Sequence, residues 1–274
     1  MRLINQNVSR PAGLVLAVLP FVVVVAIYLV ASHIRLEANP ADKLLPSLDS
    51  MAEAFWRMAF VPDRRTGDLL LVKDTAASLT RLAYGMGVSA ALALVLGVAI
   101  GIIPKVRALM ASFVATVSLI PPITVLPILF IVFGLGEVSK VMLIVVGTAP
   151  VMIRSVAQAV SDLPEELIIK AQTLGASTWQ LIVRVVVPQI MPKLMLAIRL
   201  GLVPAWIFLV SAEAIASTEG LGYRIFLVRR YLAMDVILPY VAWITLIAFV
   251  LDRAIYTASR VLFPWAHLND ESAS

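Results

Sequence analysis

Long uncharged runs of apolar residues recur along this chain and constrain its fold more than any other feature. Residues 12–32 include 21 positions without a charged side chain, and residues 108–136 include 29. A helix of about 20 apolar residues crosses the roughly 30 Å hydrocarbon core of a bilayer. Only 14% of the 274 residues are charged, whereas a soluble domain carries about 25%. The sequence therefore predicts an all-α integral membrane protein.

Six membrane-spanning helices are predicted from these runs and from the turns between them. The spans cover about residues 12–32, 75–103, 108–135, 137–160, 193–216 and 236–258. They form one transmembrane domain, 12–263, between an N-terminal segment, 1–11, and a tail, 264–274. A cleaved signal peptide is the alternative for the first run, but that run is long for one and no convincing cleavage site follows it. An even number of spans places both termini on the same side of the membrane.

The loops between the spans contain further local signals. Residues 33–73 include a helical apolar pattern after Pro46 and Ser47, which predicts an amphipathic helix at the membrane interface. Asp74 or Thr75 is expected to cap the second span. Residues 217–235 are expected to form a polar loop. The apolar pattern of the interfacial helix consists of Leu48, Met51, Ala52, Phe55, Trp56 and Ala59.

Glycines and prolines inside the spans predict where helices approach each other or break. Gly97 and Gly101 form a Gly-x-x-x-Gly pair, which favours close packing against another helix of the same chain. Pro121 and Pro122 lie in the middle of the third span and should break it, because proline removes a hydrogen-bond donor and clashes with the preceding turn. Broken backbone is tolerated at membrane depth only where protein or water covers it. The third span is therefore expected to face the interior, beside a translocation path.

Charged residues within the spans are candidates for function because they are costly in a bilayer. Arg154 lies in the fourth predicted span, and Arg199 and Glu213 lie in the fifth. The two arginines are compatible with an anionic solute, or with side chains that reach lipid headgroups near the helix ends. Glu213 is interpreted either as a residue at the outer end of the path or as a carboxylate that stabilises helix packing.

Two short helices that meet at a glycine are predicted between residues 164 and 192. Pro164 suits the first turn of a helix, and Gly175 suits its C-terminal end. A second helix, from about residue 177 to 187, is expected to end at Pro188. An amphipathic loop on the membrane surface is the alternative interpretation of this spacing.

This segment resembles a cytoplasmic motif in the permease subunits of ABC importers. The family motif is Glu-Ala-Ala, three residues, Gly, nine residues, Ile, one residue, Leu-Pro. Ile169 and Lys170 stand where the family has Glu and the first Ala, so docking here is expected to rest on apolar packing. The positions that fit the spacing are Ala171, Gly175, Val185, Val187 and Pro188.

The resemblance extends from about residue 45 to residue 265 and is specific to the permeases of taurine, sulfonate and nitrate importers. It implies a type I ABC importer permease with six helices, a cytoplasmic coupling helix and a location in the bacterial inner membrane. It also implies a homodimer, two cytoplasmic ATPase subunits and an extracytoplasmic binding protein. The motifs that carry it are Ile120-Pro121-Pro122, Phe133-Gly134-Leu-Gly136-Glu137, Leu174-Gly175-Ala176-Ser177, Ala212-Glu213 and Gly220-Leu-Gly222.

The resemblance and the patterns together give two sets of candidate residues. The first set is expected to couple the permease to its ATPase. The second is expected to line the path for the solute. The coupling residues are Glu166, Leu167, Ala171, Leu174, Gly175, Ala176, Trp179 and Pro188. The path residues are Ser118, Pro121, Pro122, Thr124, Arg154, Ser211 and Glu213.

The remaining composition indicates a transport subunit and excludes most other classes. The sequence has no Gly-Lys dipeptide for a phosphate-binding loop, and no constellation typical of an enzyme. Without cysteine and with two histidines, no metal site or cofactor is expected. Basic residues at a cytoplasmic face account for the net charge of +5 better than binding to nucleic acid does.

Several alternatives remain open for transport itself. An ion-coupled secondary transporter would be expected to show intramembrane acids and inverted repeats. A structural membrane subunit would not be expected to contain a broken third span. The solute is a sulfonate, taurine, nitrate or similar molecule by resemblance, and a small cation or neutral amide such as guanidine or urea is the alternative. Coupling to an ATPase places residues 161–192 and both termini in the cytoplasm.

Overall fold

The structure of the protein is a computed structural model that describes residues 9–40, 42–64 and 66–266. Most of the predicted N-terminal segment and residues 267–274 of the tail lie outside the described residues. Every regular element within them is helical. The helices are α1 (Arg10–Ala38), α2 (Leu48–Phe60), α3 (Leu70–Ile102), α4 (Pro104–Val117), α5 (Pro122–Phe133), α6 (Glu137–Ser161), α7 (Glu165–Thr173), α8 (Thr178–Leu181), α9 (Val187–Ala216), α10 (Leu221–Arg229) and α11 (Met234–Leu262). A π-helical turn, Ile182–Val186, joins α8 to α9, and a 3₁₀ turn, Pro264–Ala266, follows α11.

Helices α3, α6 and α9 form the centre of the bundle. Glycines of α3 lie against branched residues of α6, and a Cβ added at Gly97 would lie 2.7 Å from the Val156 side chain. Gly101 packs in the same way against Val160, so the predicted close approach within the chain is confirmed. The contacting positions keep one separation of 59 residues along both helices, as in the 2.7 Å hydrogen bond between the Ser89 and Thr148 hydroxyls. A constant separation means that α3 and α6 run in the same direction.

The third predicted span is interrupted at its prolines. Helix α4 starts at Pro104, α5 starts at Pro122, and the two are bent by 99°. Pro122 occupies the first turn of α5, where its missing donor is harmless. Because α3 and α6 run in the same direction, the chain between them must return from the end of α3 to the beginning of α6. The bent pair α4–α5 is therefore one broken span, and it brings the number of spans in the described chain to six.

Two predictions about the ends of spans were wrong. Helix α3 begins at Leu70, so neither Asp74 nor Thr75 caps it; the Asp74 side chain is fully buried within the helix. The expected polar loop at 217–235 contains α10, which packs on α9. Asp74 binds Gly220 and Arg224 instead of capping α3, and this gives the α10 segment a folded partner.

The predicted helix end at Pro188 was also wrong. The chain is helical without a stop from Thr178 to Ala216, so the fifth span begins before residue 193. In the π-helical turn the Val187 N–H donates to the Ile182 carbonyl, five residues back. This wider turn relieves the clash that a proline ring makes with the carbonyl four residues before it. Pro188 therefore lies in the first turn of α9 instead of ending a helix.

Helices α1 and α2 lie outside the central bundle. Helix α1 exposes nearly all of its apolar side chains, and its attachment includes the Tyr28 hydroxyl, which donates to the Pro46 carbonyl at 2.7 Å. Ser32 donates to the same carbonyl at 3.2 Å. The Ser47 side chain caps α2 by accepting from the Ser50 N–H, as the start signal at Pro46 and Ser47 predicts. Helix α2 then packs on α11.

Candidate functional site

The break between α4 and α5 opens onto a cavity of about 330 Å³. Helices α4 to α6 and α9 surround it, and most of its wall is apolar. Gly147 allows the Phe208 ring to approach closely, because a Cβ there would be 2.2 Å from it. The wall consists of Val117, Ser118, Ile120, Pro122, Val146, Gly147, Thr148, Val151, Met152, Ser155, Ala197, Leu200, Gly201, Pro204 and Phe208. A cavity of this size at the broken helix fits a small solute.

A second cavity, of about 210 Å³, lies between the ends of α3 and α6 and the start of α4. Its wall includes Arg107 and Arg154. The Arg154 guanidinium donates to the Ser118 hydroxyl at 2.8 Å, and Ser118 also lines the first cavity. One hydrogen bond therefore joins the walls of the two cavities at the end of α4.

Glu213 lies at the opposite end of the bundle, fully buried in a group of polar side chains. Its carboxylate accepts from the Arg81 guanidinium at 2.7 Å, from the Ser78 hydroxyl at 2.8 Å and from the Gly222 N–H at 2.8 Å. A charged group in an apolar interior is stable only when paired and hydrogen-bonded in this way. Both oxygens of Glu213 are thus bound by the chain itself, which favours a role in helix packing over contact with a solute.

Arg81 connects three helices through the same guanidinium. Besides Glu213 on α9, it donates to the Glu137 carboxylate at the start of α6, at 2.5 and 2.9 Å. A further hydrogen bond of 2.9 Å reaches the Glu219 carbonyl. Lys140 donates to Glu137 at 2.7 Å. We call Ser78, Arg81, Glu137, Lys140 and Glu213, with Asp74 and Arg224, the charged cluster.

Asp74 extends the charged cluster to α10. Its carboxylate accepts from the Arg224 guanidinium at 2.7 Å and from the Gly220 N–H at 3.0 Å. Gly220 has a φ of +125°, and a Cβ there would lie 2.5 Å from the Glu213 carboxyl carbon. Only glycine fits this position, because other residues are strained at such a φ and lack the space.

Outside the membrane, a hydrogen bond from Lys73 lowers the pKa of the Asp68 carboxyl.

Sequence reasoning found only Glu213 among the residues of the charged cluster. Asp74 was interpreted as a helix cap, and Arg81 was not among the candidate residues. Their pairing spans more than 130 positions of sequence, so no local periodicity reveals it. The available signal was the occurrence of opposite charges near the matching ends of α3 and α9.

The segment between α6 and α9 has the helix–glycine–helix shape that its sequence predicts. Helix α7 ends at Thr173, and Gly175 adopts a φ of +80° with open space around it. Ser177 then caps α8 through a reciprocal pair of hydrogen bonds with Gln180. The two ends of this segment lead directly into α6 and into the long helix that contains α9.

Large apolar side chains on α7 and α8 are exposed. Leu174 exposes 88% of its surface and Trp179 72%, and Leu167 is partly exposed. Exposed apolar groups concentrated on one short segment typically mark an interaction surface. Ala171 differs from these residues, because it is half-buried and packs against the protein core. Its contribution to docking stays a prediction, and its observed contact lies on the core side of α7.

The other predicted residues separate into distinct regions. Glu166 is exposed on α7, Ala176 is half-buried after Gly175, and Pro188 lies within α9. Ser118 and Pro122 line the first cavity, and Arg154 lines the second. Thr124 donates to the Pro121 carbonyl and Ser211 to the Ile207 carbonyl, so both hydroxyls bind their own backbone. Pro121, Thr124, Ser211 and Glu213 are not among the described residues that form the two walls.

Comparison with known proteins agrees with this architecture. The family described as "Binding-protein-dependent transport system inner membrane component" matches residues 80–266. The taurine transport system permease protein TauC of Escherichia coli (strain K12) is 36% identical over 199 residues, which cover 72% of each chain. The bicarbonate transport system permease protein CmpB of Synechococcus elongatus is 24% identical over 200 residues, again 72% of each chain.

A solved structure shows the same fold. A chain of the MetNI methionine ABC transporter, in an inward-facing conformation, superposes with a TM-score of 0.59 at 22% identity. The match covers 70% of this protein and 95% of that chain. The helical architecture, the family match over α3 to α11 and the similarity to TauC lead to one conclusion. This chain belongs to the family of inner-membrane components of binding-protein-dependent transport systems, and it is a permease subunit of the ABC importer type.

Proposed function

We propose that this permease works as a homodimer with two cytoplasmic ATPase subunits and an extracytoplasmic binding protein. The observation that carries this proposal is the exposed apolar surface of α7 and α8, defined by Leu167, Leu174 and Trp179. A surface of this kind on a polar loop needs a protein partner to shield it from water. The ATPase is the partner that fits, because the permease has no phosphate-binding loop of its own.

The connections of α7 supply a mechanism for coupling. Helix α6 enters α7 through a short turn, and α7 leads through α8 into α9. Both α6 and α9 line the first cavity. A rigid displacement of α7 by an ATPase that closes on ATP would therefore tilt two walls of the cavity together. This is a shear transition whose equilibrium is shifted by nucleotide.

The same arrangement orients the protein in the membrane. The α7–α8 surface must lie where ATP is present, so this end of the bundle faces the cytoplasm. Lys105 and Arg107, at the start of α4, lie at the same end because Arg107 donates to the Ser161 hydroxyl at the end of α6. Basic residues in a short turn are typical of the cytoplasmic side. The charged cluster then lies at the outer end, and both termini lie in the cytoplasm.

The exposed apolar face beside the first cavity favours the binding of a second copy of the chain. Large apolar residues beside the cavity are exposed, including Val151, Leu200, Val203 and Ile207. A second copy packed on this face would close a path between two equivalent halves, as twofold symmetry allows. Lipid would cover the remaining apolar surfaces.

The substrate is proposed to be a small oxyanion or zwitterion such as taurine or another sulfonate. TauC is named for taurine and CmpB for bicarbonate, so similar permeases serve small solutes that carry an anionic oxygen group. The first cavity is large enough for such a solute, and Ser118, Thr148 and Ser155 are among the residues of its wall.

Disulfide crosslinking tests the coupling surface, since the chain contains no cysteine. The variant Leu174→Cys is combined with a single cysteine in the docking groove of the cognate ATPase, in the purified complex. We expect a crosslink whose yield changes with nucleotide. The matched control is Lys105→Cys, which lies at the same end on the α4 turn. If the Lys105 variant crosslinks and the Leu174 variant does not in any nucleotide state, the proposed coupling surface is wrong.

A further inference from the structure

The wall of the second cavity includes two arginines from different helices. Arg107 extends from α4 and donates to the carbonyls of Ile100 and Gly101 and to the Ser161 hydroxyl. Arg154 extends from α6 and donates to the Ser118 hydroxyl at 2.8 Å. All these partners are neutral oxygens, so they orient the guanidinium groups without neutralising them.

Neither arginine has an ionic partner within the described chain. In contrast to Arg81, Arg199 and Arg224, which each form a salt bridge to a carboxylate, Arg107 and Arg154 have no carboxylate within 4 Å among residues 9–40, 42–64 and 66–266. The wall of the second cavity contains no acidic residue, and Gln158 is its other large polar side chain. Gln158 is turned toward Asp162, to which it donates at 2.7 Å. The cavity therefore has a net positive charge.

The depth of Arg154 makes this charge significant. Arg154 lies about two turns before the end of α6, roughly 10 Å along the helix axis. An unpaired charge at such depth is costly unless it faces water or an anion. Arg154 also binds Ser118, whose side chain lines the first cavity. A solute that leaves the first cavity toward the cytoplasm would thus meet the Arg154 guanidinium next.

We propose that the second cavity, with Arg154 and Arg107, is an oxyanion-binding site on the cytoplasmic exit of the transport path. The site takes a sulfonate, carbonate or similar group, which accepts charge-assisted hydrogen bonds from the guanidinium groups. The inference rests on the proposed transport function for the direction of solute movement. A phospholipid headgroup phosphate has the same chemistry and is the other source of an oxyanion at this depth, so the experiment separates the two.

Charged thiol reagents measure the electrostatic potential of this cavity directly. Ala111 lines the second cavity on α4, and Ala111→Cys introduces a single thiol into a protein that has none. The purified permease, in phosphatidylcholine nanodiscs, is treated with an anionic sulfonatoethyl or a cationic trimethylammonioethyl methanethiosulfonate. We expect the ratio of the anionic to the cationic rate to fall about tenfold when Arg154→Gln is added, because one charge on the wall of the same cavity is removed.

Four controls separate charge from fold and from lipid. Arg154→Lys keeps the charge and should keep most of the ratio. Lys105→Gln removes an equal charge outside the cavity wall and should change the ratio less than twofold. An unchanged or faster cationic rate in Arg154→Gln shows that the cavity remains folded and accessible. Methanesulfonate at millimolar concentration should slow modification by both reagents in the Arg154 protein and not in the Arg154→Gln variant.

Two results would overturn the inference. An equal rate ratio with Arg154 and Arg154→Gln would mean that the cavity has no anion-attracting potential. Protection by phosphatidylglycerol in the nanodiscs, without protection by methanesulfonate, would assign the site to a lipid headgroup instead of the transport path. Either result leaves crosslinking at Leu174 unaffected, whereas failure of that crosslink with a normal rate ratio would count against the proposed coupling alone.

Discussion

Replacing Glu213 by glutamine tests the role of the charged cluster with a minimal change of shape. The amide keeps one carbonyl oxygen but places an NH₂ group where the second carboxylate oxygen was. In the structure, all the partners of that carboxylate donate to it: Arg81, Ser78 and the Gly222 N–H. Ser78 can accept from the amide with its second lone pair, but an NH₂ group in place of either oxygen faces the Arg81 guanidinium or the Gly222 N–H, which can only donate. At least one buried donor would then face another donor.

The magnitude follows from two contributions. An unsatisfied buried polar group costs about 1–3 kcal/mol, and removing one partner of a buried ion pair costs about 3–5 kcal/mol. Arg81 keeps Glu137 as an ionic partner, so the second cost is only partly incurred. We expect Glu213→Gln to lower the free energy of unfolding by about 3 kcal/mol.

Unfolding of the purified permease in SDS, followed by tryptophan fluorescence, measures this change. Ser211→Ala is the matched control, because Ser211 lies on the same helix and donates to its own backbone; its effect should stay within about 0.5 kcal/mol. Transport by the refolded Glu213→Gln protein should be close to normal. A stable Glu213→Gln variant with impaired transport would refute the packing role and place Glu213 on the solute path.

Three further variants test other parts of the structure. Gly97→Ala should destabilise the bundle by about 1–3 kcal/mol through overpacking against Val156. Gly87→Ala is the control and should not destabilise it, because no atom lies within 4 Å of the added Cβ. SDS unfolding distinguishes the two variants, and equal effects would contradict the packing argument. Gly175→Val forces a β-branched residue into a φ of +80° and should strain the α7–α8 turn by about 1–2 kcal/mol; the stimulation of ATPase activity by substrate should fall while membrane insertion is retained, and normal stimulation would show that the turn is not needed for coupling. Asp252→Asn removes a partly exposed salt bridge to Arg199 and should change the free energy of unfolding by less than about 1 kcal/mol, so a larger loss in SDS unfolding would indicate a buried network that the structure does not show.

The positions of the spans could be predicted because the bilayer imposes them locally. The length of an apolar run is enough to predict that it spans the bilayer. Pro121 and Pro122 are enough to predict a break in the helix that contains them. The Gly97–Gly101 pair likewise signals close packing from its spacing alone. Each of these signals lies within one helix, so no knowledge of the other helices is required.

The charged cluster and the start of α9 depend on contacts that the sequence does not reveal. Asp74 resembles a helix cap until Arg224, distant in sequence, is seen to bind it. Pro188 predicts a helix end because, in a regular α-helix, a proline ring clashes with the carbonyl four residues before it. The π-helical turn before it changes the hydrogen-bond pattern, and the sequence of Ile182–Val186 does not predict that turn. The partial burial of Ala171 likewise depends on how α7 lies against the bundle, which its own sequence does not reveal.

The π-helical turn at Ile182–Val186 also sets the direction in which the side chains of α9 point relative to those of α8. An extra residue in a helix advances every later side chain by about 100° relative to the earlier ones. The turn thus fixes which side of α9 faces the first cavity, given the direction in which α8 leaves the glycine turn. Without the extra residue, Gly201 and Pro204 would rotate by about a quarter turn away from the cavity they line. The same five residues lie between the exposed surface of α8 and the cavity wall. A rotation of α8 at Trp179 is therefore transmitted to α9 through the π-helical hydrogen bonds.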